Sequence, residues 1–303
     1  MCTIRYLGMK RLMLTMTALA CACMTFAQQE AIVVSEVLYQ PRSGEAEYVE
    51  LYNNGDEALN LAEYHIVRWV SDSLGKHYPL PEYTLGPHDY VALTKDAASV
   101  TANYDVQYSS KLVECDLPPY PNGGGSVIVA TAEGVVVERF DYSPSMQSRL
   151  LRNKAGVSLE RRSFDRPVNE PTNWFSASSV SGYGTPGYEN SQSMEYLVEE
   201  TAFSFSSTII SPDGDGYQDA LEISYSMEEG DLSACAEIYD GRGRMMRRLL
   251  NNALLGTHGT LQWDGRGENN QTLPRGQYVL RITLFNLDGT RQTIKRTIAL
   301  LIY

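Results

Sequence analysis

The sequence predicts an all-β protein, with two Ig-like β-sandwich domains in tandem after a cleaved signal peptide. Three observations carry that expectation. From Ala31 onward, short runs rich in Val, Ile, Tyr and Leu recur with the two-residue period of half-buried strands. Clusters of Gly, Asn, Asp and Pro such as "NNGDE", "LGPHD" and "PNGGGS" punctuate these runs. No long apolar face of 3.6-residue period appears beyond the first 27 residues. The remaining 303 − 27 = 276 residues are long for one sandwich and comfortable for two.

The chain opens with a positive start at Arg5, Lys10 and Arg11, followed by the apolar stretch Leu12–Ala27, "LMLTMTALACACMTFA". That stretch has the length of a signal-peptide core and is short for a membrane span. Thr25 and Ala27 satisfy the small-residue cleavage rule, so the mature chain is expected to begin at Gln28 with no transmembrane span. Lipoprotein processing at Cys21 is the minority reading. "ALAC" resembles a lipobox, but Ala18 stands where a bulky aliphatic residue is usual. Either route places the protein outside the cell or on its outer surface.

Between residues 28 and 190 the strand runs are "AIVVSEVLY", "EYVELYN", "YHIVRWV", "YVALT", "SVIVAT", "VVVERFDY" and "VSLERR". "GYGTPGYENSQS", Gly182–Ser193, lacks core-forming residues and marks the boundary, with residues 191–202 as linker. Such a linker can be flexible or docked. A second series fills residues 203–303: "FSFSST", "ALEISYSM", "SACAEIYD", "RMMRRLL", "TLQWDG", "QYVLRITLF" and "RQTIKRTIAL". Seven strands in roughly 100 residues is the count of an Ig-like sandwich.

Both halves resemble known families. "SEVLYQP", "EYVELYNNGDEALNLAEYHI", "LGPHDYVAL", "NGGGSVIV", "GVSLERR", "NWFSA" and "GTPGYEN" follow the order found in the lamin-tail domains of secreted bacterial proteins. The sequence departs from that family at two turn positions: Gly125, where Asp is frequent, and His88, where Gly is usual. The second half is similar to the Ig-like domain of flagellar hook-capping (FlgD-type) proteins, through "SPDGDGYQD", "EIYDGRGRMMRRL" and "WDGRGENNQTLPRGQYVLRI". That resemblance implies a sandwich and does not imply a flagellar role.

Composition excludes some partners. Twenty-five basic and 37 acidic residues give a net charge of −12, and removing Arg5, Lys10 and Arg11 leaves 22 − 37 = −15. Nucleic-acid affinity rests on clustered Lys and Arg that neutralise phosphates. The one basic cluster, Arg242, Arg244, Arg247 and Arg248, reads as the charged edge of a half-buried strand after an Asp240–Gly243 turn. Cys115 and Cys235 alone survive signal cleavage. They fall in different domains, so they read as small apolar residues rather than a disulfide or zinc set.

The candidate site is "SPDGDGYQD", residues 211–219. Asp213, Asp215 and Asp219, with the Tyr217 carbonyl, match positions one, three, seven and five of a Ca²⁺ loop. Ser224 stands where the bidentate Glu of position twelve should be. Two readings therefore remain: a weak structural Ca²⁺ site, or an Asp/Gly turn whose carboxylates bond backbone amides. Trp263 is expected to fill the second core, with Asp264, Gly265 and Gly267 shaping the next turn.

No catalytic set emerges. His65, His77, His88 and His258 have no metal-ligand spacing, no serine sits in G-x-S-x-G, and "GGGS" lacks a phosphate-loop ending. Glu47 and Glu50, an odd separation apart, belong to opposite strand faces. The twenty tyrosines suit a recognition face, but strand-rich proteins favour Tyr in any case. The sequence is thus read as a non-enzymatic cell-surface or extracellular protein that contacts an envelope or extracellular protein or glycan. Two alternatives stand: an accessory subunit of a secreted hydrolase or nuclease, or a C-terminal domain that serves as a type IX secretion signal.

Overall fold

The computed structural model describes residues 31–194, 202–228 and 231–301. The export segment and residues 195–201 of the linker lie outside that range. The described chain is all-β and forms two sandwiches. In the first, the strands are β1 Ile32–Leu38, β2 Tyr48–Asn53, β3 Leu59–Asn60, β4 Tyr64–Val70, β5 Ser73–Pro79, β6 Thr84–Leu85 and β7 Tyr90–Thr94. They continue as β8 Leu112–Glu114, β9 Gly125–Thr131, β10 Val136–Tyr142, β11 Leu159–Arg161 and β12 Trp174–Ser176. A six-stranded sheet runs β12-β11-β1-β2-β7-β8 and faces a four-stranded sheet β10-β9-β4-β5.

Alternation decides which side chains meet between the sheets. Val37, Val49, Leu51, Leu93 and Leu159 from the larger sheet meet Ile66, Val127, Val129 and Phe140 from the smaller, all fully buried. Phe140 stacks on Trp174 across the gap at 3.6 Å between centroids, and Trp174 Nε1 donates to the Val168 carbonyl. All seven strand runs of the first half form strands. The β5 edge lacked a signature because "SLGKHYP" carries Gly75, Lys76 and Pro79, residues that an edge strand tolerates. The sole α-helix among the described residues, α1 Ala97–Asn103, is capped by Asp96, which accepts from the Ser99 N–H at 2.9 Å.

A buried ion pair ties the two sheets together. Arg161 Nη1 on β11 lies 2.8 Å from Glu138 Oε1 on β10, and both side chains are almost wholly enclosed. A bulge in β1 between Val34 and Glu36 breaks the ladder beside Val34, and Glu138 Oε2 takes the Val34 N–H. Arg161 also donates to the carbonyls of Val34, Ser163 and Arg166.

The second sandwich contains β13 Ala202–Phe205, β14 Ile209–Ile210, β15 Leu221–Ser226, β16 Leu232–Asp240, β17 Met245–Leu255, β18 His258–Trp263, β19 Gly276–Phe285 and β20 Arg291–Leu300. A three-stranded sheet β13-β15-β18 packs on a five-stranded sheet β14-β20-β19-β16-β17. Trp263 lies in this core as expected, edge-on to Tyr278, with Nε1 donating to the Arg266 carbonyl. The Arg cluster follows the Asp240–Gly243 turn on β17. Arg244 pairs with Asp240, Arg248 pairs with Glu237, and Arg247 donates to the Gly267 carbonyl.

The two sandwiches are docked. Ser179 N–H donates to the Leu254 carbonyl at 2.8 Å, Thr257 N–H to the Ser191 carbonyl at 2.9 Å, and Thr257 Oγ1 to the Ser193 carbonyl at 2.6 Å. A Cβ at Gly256 would sit 2.1 Å from the Ser191 carbonyl oxygen, so this contact requires glycine. Among the described residues no helix is long and apolar enough to cross a membrane.

The staple between the sheets is open to test. Replacing Glu138 with Ala leaves the Arg161 charge buried and unpaired, and is expected to cost about 3–5 kcal/mol in urea unfolding. The double variant Glu138→Leu with Arg161→Met removes both charges and is expected to recover most of that loss. Equal stability of the single variant and the wild type would show that the pair does not hold the sheets.

Candidate functional site

The acidic loop lies between β14 and β15. Gly214, Gly216 and Gln218 take φ values of 84°, 87° and 56°, a left-handed series that curls the chain back on itself. The curl brings Asp213, Asp215 and Asp219 together, with one carboxylate oxygen from each within 4.8 Å of the others. In the conformation described, this is the one place among the described residues where three such side chains meet so closely. Asp219 accepts from the N–H groups of Gly214 at 2.7 Å and Gly216 at 2.9 Å. Asp213 accepts from Asp215 N–H at 3.1 Å, and Asp215 from Tyr217 N–H at 2.7 Å. The Tyr217 ring is 71% exposed, so the ligand expected there is its backbone carbonyl alone.

Each oxygen that accepts one amide keeps a second lone pair. Asp213 and Asp215 are exposed at the loop surface. The donor set is all oxygen, as a hard cation requires. The loop thus combines both sequence readings: its amides already compensate the carboxylates, and its oxygens converge closely enough to share one ion.

A second acid cluster lies on the opposite face of the first sandwich's larger sheet. Glu36 on β1 is register-paired with Glu50 on β2 and with Glu160 on β11, so three carboxyls form a row across adjacent strands. All three are fully buried, and among the described residues no Arg or Lys forms an ion pair with them. Their cover is the Gly182–Ser193 stretch. Thr185 N–H donates to Glu36 and Gly187 N–H to Glu50. Ser191 Oγ and Gln192 N–H both donate to Glu160 Oε2. From below, Tyr48 and Ser158 hydroxyls donate to Glu36 Oε1.

Geometry and burial both favour protons on this row. Thr185 Oγ1 lies 3.1 Å from Glu36 Oε2, 3.0 Å from Glu160 Oε1 and 3.3 Å from Asn190 Oδ1. One hydroxyl has a single proton to give, so a second carboxyl contact becomes a hydrogen bond only where that carboxyl is protonated and donates to Thr185. Burial acts in the same direction: it raises Glu36 and pushes Glu50 and Glu160 well above the usual carboxylate range, with Glu36 adding repulsion to both. Glu47, by contrast, is half-buried just before β2. The signal for the row was present in the strand phase: Glu36 shares a face with Leu38, and Glu50 with Tyr48. The sequence offered no sign of what would cover them.

Among the remaining residues singled out from the sequence, Cys115 and Cys235 are both free, and burial pushes the Cys115 thiol up to about 11. The four histidines do not meet a common serine or cysteine nucleophile. His88 bonds Tyr52 and Asp56, whereas His65 faces His77.

Residues 25–144 match the family model of the Lamin Tail Domain. No curated protein matches the chain. Among solved structures, FlgD from P. aeruginosa aligns at 16% identity over 32% of this chain and 66% of its own, with a TM-score of 0.23. Latent PorU from Porphyromonas gingivalis aligns at 8% identity over 93% of this chain and 21% of its own, TM-score 0.27. PorZ, a surface component of the type IX secretion system of the same organism, aligns at 9% identity over 89% and 30%, TM-score 0.25. The chain therefore spans between about a fifth and just under two thirds of these structures.

The acid row makes stability depend on pH, with a definite sign. Its folded pKa values are raised, so the stability tied to the bound protons is fully present below the unfolded carboxylate pKa. It is lost as pH rises through the folded values. Each extra proton kept by the folded state contributes a slope of about 1.4 kcal/mol per pH unit over that window. Melting temperature is therefore expected to fall from pH 5 to pH 9. Glu50→Gln, which cannot ionise, is expected to flatten that fall and to gain on the wild type at the alkaline end. Parallel pH profiles for the two proteins would contradict the protonated row.

Proposed function

We propose that the protein is an exported, non-enzymatic binding or structural module of the bacterial cell surface or extracellular space. In this reading the lamin-tail-like sandwich, residues 28–190, makes the contacts. The second sandwich, from residue 203 and of the hook-capping Ig-like type, connects or anchors it. The partner is an envelope or extracellular protein or glycan. One observation carries the proposal. Catalytic acids are found as perturbed groups open to a cleft. Here the strongly perturbed acids, Glu36, Glu50 and Glu160, are sealed under Thr185, Gly187 and Ser191 with no exposed surface. Export is supported by the signal-like N-terminus. Fractionation of cells is expected to place a chain beginning at Gln28 in the outer envelope or the medium, without nuclease, protease or phosphatase turnover. A metal-dependent turnover abolished by one substitution would overturn the non-enzymatic reading.

We further propose that Asp213, Asp215, Asp219 and the Tyr217 carbonyl take Ca²⁺ and so order the entry to the second sandwich. With Ser224 in place of the final Glu, affinity belongs in the weak extracellular range, about 10⁻⁴ to 10⁻³ M. An ion that binds only the folded loop stabilises it by about 2.7 kcal/mol at a hundredfold excess over Kd. The melting temperature of the full chain is expected to rise in millimolar Ca²⁺ relative to chelator, and Asp215→Ala to abolish that rise. A wild-type melt that ignores Ca²⁺ would leave the loop as a turn only.

A further inference from the structure

His65 on β4 and His77 on β5 lie on the smaller sheet's outer face, away from the main core of the first sandwich. His77 stands directly across from Val67, and His65 across from Ala130 on β9. Val67, Ala130 and Ile128 form a small cluster of their own and are fully buried, so the two rings rest on a dry apolar floor. The imidazoles meet edge to face at 83°, and their Nδ1 atoms are 3.3 Å apart. The β9–β10 turn closes the third side. Gly134 passes beside His77 Cε1, and the exposed Glu133, whose carboxyl is hydrogen-bonded to Thr131 and stands apart from the two rings, lies within electrostatic reach of His65.

We propose that His65 and His77 chelate a divalent transition metal, zinc above others, with Glu133 as third ligand once its exposed side chain turns toward the pair. The spacing carries the assignment. Two imidazole nitrogens at zinc-bond length on adjacent tetrahedral corners lie about 3.3–3.4 Å apart. On adjacent corners of a square plane they would close to about 2.9 Å. The structure holds the two atoms at the tetrahedral spacing. The donor set also separates this site from the acidic loop. Imidazole suits zinc, nickel and copper, whereas Ca²⁺ takes oxygen ligands only.

Proton bookkeeping is simple. Two neutral rings facing through Nδ1 share one Nδ1 proton, and a metal needs both lone pairs. The shared proton moves through solvent to the Nε2 of its own ring, so both rings bind as the Nε2-protonated tautomer and the pair loses no proton. The fourth position stays with water. Bound metal would clamp the β4–β5 hairpin to the β9–β10 turn, an exposed corner where Val135 and Val136 also stand clear of the core.

Titration of Zn²⁺ into the purified full chain, in saturating Ca²⁺ so that the acidic loop is blocked, tests the proposal. One zinc per chain is expected at this corner. Its affinity should fall at least tenfold in His65→Ala or His77→Ala, fall several-fold in Glu133→Gln, and stay unchanged in His88→Ala. Should His77→Ala fail to fold, His77→Asn keeps a polar group over Val67 and serves in its place. A zinc-dependent shift of the His65 and His77 imidazole resonances gives a second readout. Absence of zinc uptake, or uptake of equal strength in wild type and both histidine variants, would overturn the site.

Discussion

Three glutamates side by side on neighbouring strands, sealed from water, are the constraint around which the first sandwich is arranged. Like charges directly opposite each other across a ladder are destabilising, and an isolated buried carboxylate costs far more. The chain meets this cost in two ways. Burial raises the pKa of each carboxyl, which favours the neutral form over three adjacent charges. The chain also lays a strip of backbone amides and hydroxyls, Thr185 to Gln192, over the carboxyls. A Gly-, Ser- and Asn-bearing stretch with few apolar side chains thereby becomes a largely buried part of the structure, tied to the carboxyls by hydrogen bonds.

The same strip sets the relation between the two sandwiches. Ser191 donates through its hydroxyl to Glu160 and accepts through its carbonyl from Thr257 of the second sandwich. Gln192 places its N–H on Glu160 while its side-chain amide reaches the carbonyls of Ser176 and Leu255. Two adjacent residues thus belong to the acid row and to the dock at once. The segment that covers the carboxyls is also the one that lies against Gly256. Residues 191–193 therefore contact the acid row and the second sandwich at the same time.

Much of the fold could be read from alternation. "ALEISYSM" carries a two-residue period with one dry face, so its strand and inward residues follow from the pattern, whereas "EYVELYN" alternates in sequence but is buried on both faces. The strip over the acid row could not be read the same way. Its burial depends on partners 150 residues away, and Gly, Thr, Pro and Asn advertise a turn wherever they occur. The β5 edge was hidden for a related reason: Gly75 and Pro79 weaken its strand signature, and with it the pairing that sets His77 beside His65. The acidic loop was legible because its ligand spacing is local and Gly214 and Gly216 permit the left-handed curl that gathers the three aspartates.

The charge distribution narrows what the outer surface can meet. A net charge of −12 repels polyanions at long range. Several arginines on and beside β17 and on β19 are engaged by carboxylates. Arg244 is paired with Asp240, and Arg248 and Arg281 converge on Glu237, whose carboxyl stays below its usual range despite partial burial. Arg139 lies over the Trp69 ring and bonds Asp141. A guanidinium committed to a carboxylate has few donors left for a phosphate, whereas Arg291, Lys295 and Arg296 on β20 stand exposed. What the surface does offer is tyrosine edges, small apolar corners at the hairpin tips, and carboxylates.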